Sequence, residues 1–126
     1  GSTHVIVAHS RDGLDEFSIS DTTEYVELHD GKITVGECTP ETVGLKRMAH
    51  GAVVGGDSAW NLQILRELLY NHLESYGGAV VYNAGAMLYV AGKAGSIAEG
   101  VSAARESIAD GRAKRKLQDW IAVSRN

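Results

Sequence analysis

The sequence has very little cysteine and proline, and no long apolar run. A lone cysteine, Cys38, excludes an internal disulfide and fits a reducing, cytoplasmic setting. A single proline and the lack of any low-complexity tract argue against disorder. The longest apolar stretch, 78–91, is interrupted by Asn83 and is too short to cross a bilayer, so no membrane partner is expected. No secretory signal pattern opens the chain. Basic residues are sparse: residues 1–60 hold ten Asp/Glu against four Lys/Arg, and residues 61–126 hold six against eight. Much of the positive charge sits in Arg112, Lys114, Arg115 and Lys116, which reads as one solvated helix face. Nucleic-acid binding needs a broader basic surface, so nucleic acid is not an expected partner.

What is present suits one α/β unit of 126 residues with its own core. Val5-Ile6-Val7-Ala8 is an unbroken apolar run of the kind found in strands buried on both faces, as in a parallel sheet. Glu16 to Ser20 alternates apolar and polar and predicts a half-buried strand. Two alternating segments, Thr23 to His29 and Lys32 to Cys38, flank Asp30-Gly31. That pair predicts a tight hairpin, because a type I′ turn needs positive φ at both central residues. Pro40 ends this β-rich half and opens a short helical turn.

The second half reads as helical. Asp57 or Ser58 caps a helix expected to reach Leu73, with Leu62, Ile64, Leu65, Leu68 and Leu69 on its apolar face. Gly77-Gly78 is expected to break it. Ala79 to Lys93 follows, apolar nearly all round and rich in small residues, a pattern expected of a buried, closely packed helix that Gly92-Lys93 closes. Ser96-Ile97-Ala98-Glu99 is a capping box for a helix carrying Ile97, Val101, Ala104 and Ile108. Gly111 ends or bends that helix, and Leu117, Trp120 and Ile121 mark a last amphipathic segment.

The densest chemistry is Asp12-Gly13-Leu14-Asp15-Glu16, where three carboxylates fall within five residues just after the first strand. Two readings fit. Hard divalent cations take carboxylate oxygens, and Mg²⁺ often binds through one or two of them plus a substrate phosphate. Adjacent Asp and Glu can converge in this way only in a loop, since in a strand they face opposite sides. The other reading is a polar turn whose Asp caps backbone N–H groups. Gly55-Gly56-Asp57 reads as a helix start with an Asp cap, because Asp57 would repel a phosphate there. Gly92-Lys93-Ala94 lacks the Ser or Thr of a phosphate loop. The histidines show no metal-ligand spacing, although His9 ends the first strand beside the acidic turn. No nucleophile motif surrounds Cys38 or the hydroxyls.

Four stretches, in order HVIVAHSRDGLDEFSI, TEYVELHDGKI, GGDSAWNLQIL and YNAGAMLYVAGKAGSIAEGVSAARESIADGRA, closely resemble the C-terminal part of anthranilate phosphoribosyltransferase. The resemblance implies that residues 1–126 form a single partial domain, the C-terminal part of a glycosyltransferase/nucleoside-phosphorylase-type α/β domain. It implies transfer of phosphoribosyl from phosphoribosyl pyrophosphate to anthranilate, a step of tryptophan biosynthesis, in a cleft between this domain and a helical one. Many members are homodimers joined through the helical domain. In the family Mg²⁺ bridges enzyme and pyrophosphate, and the adjacent Asp-Glu helps hold it, which carries onto Asp15 and Glu16. These act as electrostatic ligands; no residue here is assigned as proton donor or nucleophile.

The family's phosphate loop, Gly-Thr-Gly-Gly-Asp, does not occur in these 126 residues, and its anthranilate-contacting residues are expected upstream. With Gly1 in place of Met, the chain reads as a portion of a longer protein, expected to lack transferase activity alone and to expose strand edges that could pair with other chains. Two alternatives accompany this reading: a stand-alone folded or interaction module without catalysis, and a relative of the pyrimidine-nucleoside phosphorylases.

Overall fold

The computed structural model describes residues 1–70 and 74–125. Three antiparallel strands, β1 (His4–Ser10), β2 (Thr23–His29) and β3 (Lys32–Cys38), form one sheet in the order β1-β2-β3. A 3₁₀ turn at Glu41–Val43 follows. Among the described residues four helices follow: α1 (Ser58–Leu69), α2 (Glu74–Val90), α3 (Ile97–Ala109) and α4 (Arg112–Ser124).

The hairpin is the one the Asp-Gly pair predicts: Asp30 has φ 49° and Gly31 φ 79°, with His29 opposite Lys32. The first strand departs from expectation. It pairs antiparallel with β2, not within a parallel sheet, and one of its faces is bare, with Val7 67% exposed. Among the described residues, β1 and β3 each have one side without a neighbouring strand. Glu16 to Ser20 is not a strand. Phe17, Ser18 and Ile19 are buried in succession, so the alternation of residue types does not become an alternation of faces.

The core joins this buried segment to the sheet end and to α2 and α3, through Phe17, Ile19, Val43, Leu45, Tyr82 and Val101. Gly77-Gly78 does not break a helix; both lie within α2. A Cβ on Gly78 would stand 3.1 Å from Ile19, so this glycine lets α2 approach the buried loop. Helix α2 is also less enclosed than its composition suggests, with Val80 and Met87 exposed. It ends as expected: Gly92 takes φ 65° and the Lys93 N–H donates to the Leu88 carbonyl at 2.8 Å.

Helices α2 and α3 cross where glycine meets glycine. A Cβ on Gly100 would lie 2.2 Å from the Gly85 carbonyl oxygen, and one on Gly85 would lie 2.6 Å from the Val101 nitrogen. The Ser96 half of the capping box forms, with the Glu99 N–H donating to Ser96 Oγ at 3.2 Å, while Glu99 reaches one residue further back and accepts from the Gly95 N–H at 2.8 Å. Asp57 caps α1 by accepting from the Trp60 N–H at 2.8 Å. Helix α1 ends at Leu69 with Tyr70 as its C-cap, short of the expected Leu73; residues 71–73, His72 among them, lie outside the described residues. Among the described residues, no helix is long and apolar enough to cross a membrane.

Candidate metal centre in the acidic loop

The loop after β1 is folded by its own polar groups. Ser10 N–H donates to the Leu14 carbonyl at 2.8 Å, and Gly13 N–H donates back to the Ser10 carbonyl at 2.9 Å. Gly13 takes φ 93°, which a side chain would resist. Asp12 is the brace. Its carboxylate accepts the Ser18 hydroxyl at 2.5 Å and the Leu14 N–H at 3.5 Å. Partial burial pushes its pKa up, but the bonds from Ser18, Ser10 and Leu14 outweigh this and hold it below the ordinary carboxylate value. The capping-turn reading therefore describes Asp12, and the turn leaves Asp15 and Glu16 as its two exposed carboxylates.

Immediately after them the chain dives into the core. The backbone of Phe17 has no strand partner; the side chain of Asn83 on α2 takes that role. Phe17 N–H donates to Asn83 Oδ1 at 2.9 Å, and Asn83 Nδ2 donates to the Phe17 carbonyl at 3.0 Å and to the Ala79 carbonyl at 3.0 Å. Ser18 N–H donates to Thr23 Oγ1 at 3.0 Å, and Met48 N–H to the Ile19 carbonyl at 2.9 Å. These bonds explain why Glu16 to Ser20 need not be a strand: its buried backbone groups are paired without a ladder.

Asp15 and Glu16 both line a cleft of about 500 Å³, whose other walls include Ile6, Ala8, Phe17, Asn83 and Met87. Glu16 also borders a second cleft, shared with Asp12, Ser18 and His50. The Glu16 pKa is raised, first by the neighbouring Asp15 side chain, then by burial, then by the charges of Asp15 and Asp12. Asp15 and Glu16 thus border one cleft, Asp15 raises the cost of ionising Glu16, and the pair offers oxygen donors alone. A hard divalent cation relieves that cost and takes those donors. The residues fit such an ion.

Other sequence expectations resolve simply. His9 is exposed and lines neither cleft. Gly55-Gly56 precedes the α1 cap, with Gly56 packed under Trp60. Lys93 sits at the end of α2. On α4, Lys114 lies 3.8 Å from the centre of the Tyr70 ring, while Arg112, Arg115 and Lys116 are exposed. Residue-by-residue reading missed Asn83 as the residue that positions the acidic loop. Its one signal was that it interrupts an apolar stretch.

Comparison with known proteins agrees with this architecture. Residues 1–114 match the family described as "Glycosyl transferase family, a/b domain". The anthranilate phosphoribosyltransferase of Azorhizobium caulinodans is 44% identical over 117 residues, covering 93% of this chain and 34% of that protein. The chain spans about a third of the length of such relatives. The crystal structure of anthranilate phosphoribosyltransferase from Thermus thermophilus superposes with a TM-score of 0.87 at 36% identity, over 98% of this chain and 36% of that one. A variant of the Saccharomyces cerevisiae anthranilate phosphoribosyltransferase with Mg bound shares the fold, with a TM-score of 0.82 at 22% identity over 91% of this chain and 34% of that one. A match that spans residues 1–114 of 126 places this chain in the glycosyl transferase family, a/b domain, to which it belongs.

Proposed function

We propose that this chain is the metal-holding part of an anthranilate phosphoribosyltransferase, transferring phosphoribosyl from phosphoribosyl pyrophosphate to anthranilate in tryptophan biosynthesis, in the cytoplasm. The observation that carries the reading is the Asp15–Glu16 pair lining one cleft, with the Glu16 pKa raised by its neighbour. Asp15 and Glu16 hold Mg²⁺, whose chemistry is to neutralise the charge that builds on departing pyrophosphate. Both residues work as fixed negative charge and donate no proton. Asp12, Ser18 and Asn83 keep them aimed into the cleft. Residues beyond these 126 supply the phosphate cradle, the anthranilate contacts and the dimer contact of the whole enzyme, so the chain alone is expected not to turn over.

The test is the loss of anthranilate fluorescence with phosphoribosyl pyrophosphate and Mg²⁺. It is run with the chain alone and then with the remaining portion of a relative's enzyme supplied as a second polypeptide. Turnover is expected only on mixing. It should disappear with the double variant Asp15→Asn, Glu16→Gln and return partly at high Mg²⁺. Turnover by the chain alone overturns the division of labour. Full activity of the double variant at low Mg²⁺ overturns the metal role.

A further inference from the structure

Register brings together what the sequence keeps apart. His4 opens β1 and His29 closes β2, 25 residues later, yet the two are direct cross-strand partners. Their rings stack at 4.0 Å, with 6° between the planes. Glu27 is two residues before His29, so the alternation of the strand puts it on the same face. His4 Nε2 lies 2.8 Å from Glu27 Oε1, and His29 Nδ1 lies 4.0 Å from the same oxygen. One ligand atom from each residue falls within 4.8 Å of the others. From α2, the Tyr89 ring meets His4 edge-on at 4.8 Å; burial pushes the Glu27 pKa up, but the Tyr89 hydroxyl and His4 outweigh it and hold the carboxylate below its ordinary value.

From this geometry we infer that His4, Glu27 and His29 form a site for a borderline transition-metal ion of the Zn²⁺ class, with a donor set distinct from the acidic pair, although His4 also lines the cleft that Asp15 and Glu16 border. Two imidazole nitrogens and one carboxylate oxygen are a donor set that suits Zn²⁺ or Co²⁺ and is poorly matched to Mg²⁺, which prefers oxygen. Bonds of ~2.0–2.1 Å place tetrahedral ligand atoms about 3.3 Å apart. The His4–Glu27 separation therefore opens slightly, and the His29–Glu27 separation closes. His29 is half exposed and has room to turn its ring; His4 and Glu27 are nearly enclosed and are already set against Tyr89. The ion replaces the hydrogen bond between His4 Nε2 and Glu27 Oε1, whose proton is released to solvent, and leaves a fourth position to water. Tyr89 acts as a positioning residue that orients the carboxylate. An ion here ties the start of β1 to the hairpin end of β2 beneath α2.

The experiment is a titration of the folded chain with Zn²⁺, followed by Co²⁺ to read geometry from visible absorption. One equivalent is expected to bind, with the intense Co²⁺ bands of a tetrahedral site and a rise in melting temperature. His29→Ala, at an exposed position that folding tolerates, should abolish the bands. Tyr89→Phe should weaken binding by roughly tenfold, as loss of an outer-shell partner does. His9→Ala and His50→Ala should change nothing, and excess Mg²⁺ should not compete. Absence of one-to-one binding, or Co²⁺ bands that persist in His29→Ala, overturns the assignment.

Discussion

Two pairs of helices in this molecule carry apolar faces, and one pair buries far more of them than the other. Helices α2 and α3 bury Val81, Tyr82, Ala86, Ile97, Val101 and Ala104 against each other and against the sheet end. Helices α1 and α4 are as clearly amphipathic in sequence, yet Trp60, Leu62, Leu65, Trp120 and Val123 remain exposed, and α4 buries no residue. The difference lies at the contact surface. Helices α2 and α3 have glycine at their crossing, which lets backbone approach backbone; α1 and α4 present only side-chain ridges. A hydrophobic stripe states which face wants covering, but close packing depends on what the facing surface allows.

The sharpest way to break that comparison is Gly100→Ala. The new methyl would collide with the Gly85 carbonyl, a backbone atom that cannot swing aside. The expected loss is about 3 kcal/mol or more, read as a lowered urea midpoint. Asn83→Ala comes next. It strips the paired groups from the buried Phe17 backbone, at a cost of roughly 1–3 kcal/mol, and frees the acidic loop. Hydrogen exchange at Phe17 should rise with it. Tyr82→Phe should do the opposite. The Tyr82 hydroxyl is fully buried without a hydrogen bond of good geometry, and burial followed by the nearby Cys38 thiol raises its pKa. Removing it should be neutral or stabilise by about 1 kcal/mol in the same denaturation measurement. Leu62→Gln and Trp120→Gln on the exposed stripes should fall within ~0.5 kcal/mol, setting the baseline for the comparison.

Acid should separate two kinds of carboxylate. Glu41 is lowered to about 2, first by its bond to Arg47. Its contribution to stability is full above the ordinary carboxylate value of 4.5 and fades as pH falls towards about 2. Being exposed, it should also fade with added salt. Glu16 behaves inversely. Its raised pKa means the folded state holds its proton more tightly, so the strain it imposes at neutral pH is relieved as pH falls through its folded value. Bound Mg²⁺ should relieve it at neutral pH instead. Melting curves against pH, with and without Mg²⁺, would show the Glu16 effect vanish when the ion is present.

Much of the local structure was legible in single residues. Asp30-Gly31 specified its hairpin, Gly92 its helix end, and Ser96 and Asp57 their caps, because each is decided by φ preferences or by bonds between near neighbours. The pairing of Asp15 with Glu16 at a turn was equally local. Tertiary structure alone decided the rest. Whether Phe17 to Ile19 formed a strand depended on Asn83, 66 residues away from Phe17. Gly78 lies inside α2 where the helix meets Ile19, a contact between segments far apart in sequence. Histidines 25 residues apart became neighbours only through strand register. Sequence encodes backbone preference at each residue, whereas burial and ligand geometry are set by atoms that only the folded chain brings within bonding distance.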